Sequence, residues 1–175
     1  MRKSTRTRAR FGIIAAAICM ASTGITCVAA PAHASMNPPA DCDWNNGGTI
    51  LMYGGYYMNT TQWVEDCAAT SKTELVMQRD GNLVLYCLSW DSSGPHRVRA
   101  AWSSGTWWVG DGGRALFQYD GNLVVYTDSS NQNAAWSSNT WGHSGSTLAL
   151  QDDSNLVIYD LNDYPIWSSN TYHAC

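Results

Sequence analysis

Phe117-Gln118-Tyr119-Asp120-Gly121-Asn122-Leu123-Val124-Val125-Tyr126 decides how this chain is read, because its pattern stands twice more. Met77-Gln78-Arg79-Asp80-Gly81-Asn82-Leu83-Val84-Leu85-Tyr86 precedes it, and Leu150-Gln151-Asp152-Asp153-Ser154-Asn155-Leu156-Val157-Ile158-Tyr159 follows. All three share Gln-x-Asp-x-Asn-x-Val-x-Tyr. A second signature trails each copy: Ala101-Trp102-Ser103-Ser104-Gly105-Thr106, Ala135-Trp136-Ser137-Ser138-Asn139-Thr140 and Ile166-Trp167-Ser168-Ser169-Asn170-Thr171. Two signatures recurring in one order define a repeating unit. The spacing from Gln to Gln is 40 and then 33 residues, and the surplus falls in residues 91–99, an inserted turn or longer hairpin loop.

Short runs of Val, Leu, Ile and Tyr bounded by Gly, Asn, Asp and Ser read as strands, and no useful amphipathic helical window is present, so the class is all-β. Asp80-Gly81 and Asp120-Gly121 are hairpin-turn dipeptides, glycine supplying the positive φ; the third copy carries Ser154 there. An odd-numbered loop puts Gln78 opposite Val84. Gln78, Val84 and Tyr86 then share one face while Leu83 and Leu85 take the other. By the same alternation Leu123 with Val125, and Leu156 with Ile158, belong to the core. Trp102, Trp136 and Trp167 are expected to add bulk near the centre of three units closed around a shared core. Residues 46–64 also have strand character and are expected to complete the first unit.

Five of the ten Lys and Arg stand in the first ten residues, followed by an apolar, alanine-rich run and by Ala32-His33-Ala34, a small-x-small cleavage site. Residues 1–34 therefore read as a secretory signal peptide rather than a membrane helix, since polar residues dilute the run and no stop-transfer cluster follows. Residues 35–175 are then one mature, secreted domain of 141 residues, with 5 basic against 14 acidic side chains, a net charge of −9. Such a balance argues against nucleic acid or an anionic membrane as the partner, and no membrane insertion is expected. Four cysteines remain, Cys42, Cys67, Cys87 and Cys175, and an even number in an exported chain reads as two disulfides. Three pairings are open. The expected one joins Cys67 to Cys87 around the first repeat and Cys42 to Cys175 at the ends; spacings of 25, 20 and 88 residues lack the close pair a zinc site needs. Asn59-Thr60-Thr61 is a glycosylation sequon.

A carboxylate, two amides, a phenol and an aliphatic side chain within nine residues suit a pyranose, whose hydroxyls donate and accept and whose C–H patches are mildly apolar. One hairpin can carry the whole set. With its interleaved Trp-Ser-Ser-Asn-Thr signature, the threefold motif resembles the bulb-type (monocot, snowdrop-like) mannose-binding lectin domain over nearly the whole mature chain. The resemblance implies a β-prism (type II) of three four-stranded antiparallel sheets with pseudo-threefold symmetry. It implies further that Asp80 and Asn82 hold the axial 2-hydroxyl of mannose, Gln78 the 3-hydroxyl and Tyr86 the 4-hydroxyl, while Val84 packs on the ring carbons. The second site is then Gln118, Asp120, Asn122, Val124 and Tyr126, and the third Gln151, Asp153, Asn155, Val157 and Tyr159. Mannose-containing glycans are the implied partners. A homodimer built by exchanging C-terminal strands is one implied assembly, with Cys175 placed to tie that segment down instead.

Turn and strand preferences alone would explain one copy, but they demand neither Gln at its start nor Tyr at its end. No Asp or Glu pair stands apart from the repeat as a glycosidase would need, and His96, His143 and His173 have no nucleophile motif beside them, so no enzyme is expected. Neither cofactor nor metal is expected: a calcium loop starting at Asp120 would need a ligand where Val124 stands. Trp107, Trp108 and Trp141 could extend a site if exposed. The remaining alternatives are an antimicrobial protein that docks on surface glycans through the same fold, and a scaffold with inactive sites.

Overall fold

The computed structural model describes residues 41–43, 48–68 and 72–175, and the leader and its cleavage site lie outside them. The described residues form strands β1 (Asp41–Asp43), β2 (Thr49–Tyr53), β3 (Tyr57–Asn59), β4 (Trp63–Glu65), β5 (Thr73–Met77), β6 (Leu83–Asp91) and β7 (Gly94–Ser103). After these come β8 (Arg114–Phe117), β9 (Leu123–Tyr126), β10 (Ala134–Ser137), β11 (Thr147–Leu150), β12 (Leu156–Tyr159) and β13 (Pro165–Ser168). They make three antiparallel sheets, ordered β4-β5-β6-β7, β3-β8-β9-β10 and β1-β2-β11-β12-β13. Two sheets are four-stranded as expected, and β1 adds a fifth strand to the last.

Of the stretch 46–64, expected to complete the first unit, only the last strand does so; the described residues 48–64 are shared among all three sheets. Their strands are dealt one to each sheet, β2 to the third, β3 to the second and β4 to the first. The cause lies in unpaired edges: β5, β8 and β11 each open a repeat with one side lacking hydrogen-bond partners, and a backbone edge is costly to leave bare. Between these short strands the ribbon turns a corner, and its corners bond to the neighbouring sheets, Gly55 N to Phe117 O at 2.7 Å and Thr61 N to Met77 O at 2.7 Å.

Period-2 alternation sets the two faces as expected. Leu83, Leu85, Leu123, Val125, Leu156 and Ile158 are buried in one core with Met77, Phe117 and Leu150. Trp102, Trp136 and Trp167 pack against that core and meet one another edge to face, with ring centroids 5.3, 5.6 and 5.8 Å apart. Each is paired to a core residue, Leu85, Val125 or Ile158, and beside each pair the register slips by one residue. Ala101, Ala135 and Ile166 are the extra residues, so a β-bulge recurs in all three sheets.

Both cysteine pairings differ from expectation: the disulfides are Cys42–Cys67 and Cys87–Cys175. Strand geometry explains why Cys67 cannot reach Cys87. Cys87 stands opposite Thr73, and Asp66 N bonds to Thr73 O at 3.2 Å, so β5 lies between the two cysteines. Two strand spacings come to about 10 Å, beyond the roughly 7 Å Cα limit of a disulfide. Cys67 instead bonds through its N–H to Gly48 O at 2.6 Å, beside β1 and Cys42. Cys175 ties the chain end to the first sheet, closing an 88-residue loop; loop entropy puts that constraint at roughly 4–5 kcal/mol.

Candidate functional site

Each pentad sits on a hairpin with a three-residue loop. Gln78 N bonds to Asn82 O at 2.9 Å, Gln118 N to Asn122 O at 2.8 Å and Gln151 N to Asn155 O at 3.0 Å. Gln78 is therefore opposite Asn82, and Val84 faces Val76, a two-residue correction to the expected register. A shift of two keeps parity, so the expected sharing of faces survives. Gly81, Gly121 and Ser154 end these loops at φ of +86°, +89° and +77°. A Cβ on Gly121 would lie 2.5 Å from the carbonyl oxygen of His143. Gly121→Ala is expected to cost about 2–3 kcal/mol from strain and clash together, read as a lower urea midpoint at unchanged slope. Ser154 occupies the equivalent place, and its Oγ accepts from Cys175 N at 3.2 Å.

The five side chains of each copy come together on the outer face. Gln78 Nε2 donates to the Tyr86 hydroxyl at 2.8 Å, Gln118 to Tyr126 at 2.8 Å and Gln151 to Tyr159 at 3.2 Å. Asp80, Asp120 and Asp153 each accept, through Oδ1, the backbone N–H two residues on, at 3.0, 3.1 and 2.9 Å. Oδ2 takes no part in that turn. Val84, Val124 and Val157 form the floor, each 2% exposed.

What fixes the asparagine is the second signature. Asn82 Oδ1 accepts from Thr106 N at 3.0 Å and Ser104 Oγ at 3.2 Å. The same bonds join Asn122 to Thr140 and Ser138, at 3.2 and 3.1 Å, and Asn155 to Thr171 and Ser169, at 3.2 and 3.1 Å. A backbone N–H can only donate, so the oxygen must face it and the amide Nδ2 turns away as a donor. The threonine hydroxyl then bonds to the carbonyl of Gly81, Gly121 or Ser154 at 2.7, 2.7 and 2.6 Å. In each signature the Trp packs on the core, and the second Ser and the Thr form the clamp. Between these last two stand Gly105, Asn139 and Asn170, at φ of +72°, +59° and +57°, a region that Gly and Asn tolerate best. Sequence reading missed the clamp residues, although their recurrence after every pentad was the signal.

Residues 91–99 prolong the β6–β7 hairpin to its tip at Asp91 and Gly94. There His96 Nε2 lies 2.9 Å from Asp91 Oδ1. That hydrogen bond, then those from Ser93, hold the Asp91 carboxyl down at about 2. Closer to the first site, Arg97 pairs with the buried Glu74 and its guanidinium lies 5.4 Å from the Tyr86 ring centroid. Trp107, Trp108 and Trp141 are exposed. Among the described residues no group of three or more His, Cys, Asp or Glu could hold a metal ion.

Three antiparallel sheets that share one core and each carry a polar hairpin outward define a β-prism. A mannose-specific lectin of Aloe arborescens is 34% identical to the chain over 123 residues, which are 69% of this chain and 96% of the relative. The chain belongs to the bulb-type mannose-binding lectin family. A Marasmius oreades lectin structure has the same fold, with a TM-score of 0.55 at 24% identity over 71% of this chain and 93% of that one. The snowdrop (Galanthus nivalis) mannose-specific agglutinin, complexed with methyl-α-D-mannoside, is 32% identical, with a TM-score of 0.47 over 70% and 96% of the two chains. No family model matches the chain.

Proposed function

We propose that this protein is a secreted lectin that binds terminal or clustered α-mannose at its three pentads and performs no catalysis. The observation that carries the reading is the orientation of Asn82, Asn122 and Asn155, each locked with its amide donor turned outward beside an Asp carboxylate. A hydroxyl held between a carboxylate and an amide donor is satisfied in both of its roles. The axial 2-hydroxyl of mannose takes that place. The phenol of Tyr86, Tyr126 or Tyr159, accepting from its glutamine, keeps its own proton for the 4-hydroxyl, and the glutamine serves the 3-hydroxyl. Val84, Val124 or Val157 lies under the ring carbons.

Glucose turns its 2-hydroxyl equatorially and leaves the Asp and Asn groups without that partner, a loss of about 1–3 kcal/mol, or roughly tenfold to a hundredfold. Each single site is shallow and weak. Three on one small body engage a branched glycan together, and avidity supplies the useful affinity. Titration with methyl α-mannoside and methyl α-glucoside tests the reading. Mannoside alone is expected to bind, and to stop binding when Asp80, Asp120 and Asp153 are all changed to Asn. A folded protein that takes up neither sugar would refute it.

Export belongs to the same proposal. The basic and apolar leader supports it, as do two disulfides that bind all four remaining cysteines, a habit of oxidising compartments. Protein recovered from the medium is expected to begin at Ser35.

A further inference from the structure

The three sites share a pentad but not their surroundings. Between Gln and Asp stand Arg79 in the first, Tyr119 in the second and Asp152 in the third, a cation, a phenol and an anion. Beside the first pentad a cleft is lined by Thr61, Trp63, Val76, Gln78, Arg79 and Arg97, with two guanidiniums and no carboxylate among them. Gln78 belongs both to the cleft and to the pentad, so the cleft opens directly off that site.

We propose that the first site alone continues into a cationic subsite that takes an anionic group, carboxylate or phosphate, carried on C6 of the bound mannose. The subsite's register rests on the mannose reading above. C6 is attached beside C4, whose hydroxyl falls to Tyr86, and Arg97 lies over the Tyr86 ring. Arg97 is held ready: its Nε and Nη2 both donate to Oε1 of Glu74, a buried carboxylate, while its side chain stays 43% exposed. Glu74 offsets that charge, so the surplus positive charge at the cleft is that of the exposed Arg79. A fixed guanidinium loses little freedom on binding an oxyanion, which it recognises through parallel N–H donors. Trp63 completes the wall with an indole in the strand row Trp63-Val76-Val84.

The other sites lack this arrangement. Arg97 comes from the surplus residues 91–99, which the later repeats do not have. Near the second site Arg114 is committed elsewhere, with Nε on Asn59 Oδ1 at 2.9 Å, Nη1 on Ser129 O at 3.3 Å and its plane over Tyr57. Four of the five basic residues beyond the leader, Lys72, Arg79, Arg97 and Arg99, fall within the first repeat of an otherwise acidic chain.

Backbone amides of Gly81, Gly121 and Ser154 report the three loops separately in a nitrogen-15 NMR titration. The probes are methyl α-mannoside, its 6-phosphate, the corresponding 6-carboxylate, and inorganic phosphate alone. At low salt one or both anionic mannosides are expected to bind at Gly81 about tenfold more tightly than the neutral one, with the gain shrinking in 0.5 M NaCl. At Ser154, beside Asp152, they are expected to bind more weakly than the neutral sugar. Which anion gains more identifies the natural class. Arg79→Gln, and Arg97→Gln made together with Glu74→Gln so that no buried carboxylate is stranded, should bring the ratio of anionic to neutral affinity toward one. Equal affinities at Gly81 for neutral and anionic mannosides would overturn the proposal, as would inorganic phosphate matching the 6-phosphate. If the neutral sugar moves no reporter while an anionic mannoside still moves Gly81, the cationic subsite stands and the general mannose reading falls; if nothing moves, both fall.

Discussion

Trp136→Ala is expected to lower the free energy of unfolding by about 2–4 kcal/mol, less than the full cost of emptying a large aromatic because the ring is half-buried against the core and not enclosed by it. Here collapse is blocked from two sides. Trp136 meets Trp102 at 5.3 Å and Trp167 at 5.8 Å, both edge to face, so its removal deletes two of the three ring contacts. Each such pair is worth about 0.5–1.5 kcal/mol beyond area burial. The β-bulge beside Trp136 fixes where its backbone can go, which limits relaxation. Since each ring touches the other two, Trp102→Ala and Trp136→Ala together should cost less than the sum of the single changes. Urea denaturation with an unchanged slope measures this. A loss below about 1 kcal/mol would mean that the triad is peripheral and that the aliphatic layer around Phe117 and Leu85 holds the prism unaided.

What could be read in the sequence was whatever depends on local periodicity. Leu83 and Leu85 fall in the core, and Gln78 and Tyr86 on the outer face, because side chains alternate strictly along a strand; even a register misjudged by two residues leaves those faces intact. Long-range pairing left no comparable trace. Strands β2, β3 and β4 are adjacent in sequence yet belong to three sheets, since their partners are chosen by bare edges far along the chain. The cysteines failed for the same reason: bracketing a repeat suggests nearness, but an intervening strand separates Cys67 from Cys87. In the signature, the tryptophan reads as a core residue from sequence alone, whereas nothing in the sequence gives Ser104 and Thr106 a role. Their targets are a side-chain oxygen on Asn82 and a backbone carbonyl on Gly81, neither of which sequence spacing reveals.

Those clamps make the asparagines the sharpest test of whether the pentads bind sugar or merely shape turns. Changing Asn82, Asn122 and Asn155 together to Asp keeps the side-chain oxygen that accepts from Thr106, Thr140 and Thr171. It deletes only the outward donor and puts a second carboxylate beside Asp80, Asp120 and Asp153. Were the pentads scaffold alone, the variant would lose no partner in the folded protein. Under the lectin reading the 2-hydroxyl meets two acceptors and no donor, and a site built for a hydrogen bond loses affinity steeply when one partner is missing. Mannoside binding is expected to fall at least about a hundredfold at every site in a protein that still unfolds cooperatively, while the carboxylate added beside each Asp at these buried or half-buried positions lowers the unfolding midpoint on its own account. Retention of binding would show that the asparagine amide is not the donor. Loss of the folded state would reflect the paired carboxylates, and the change of Asp80, Asp120 and Asp153 to Asn, which adds no charge, would then carry the test of sugar recognition.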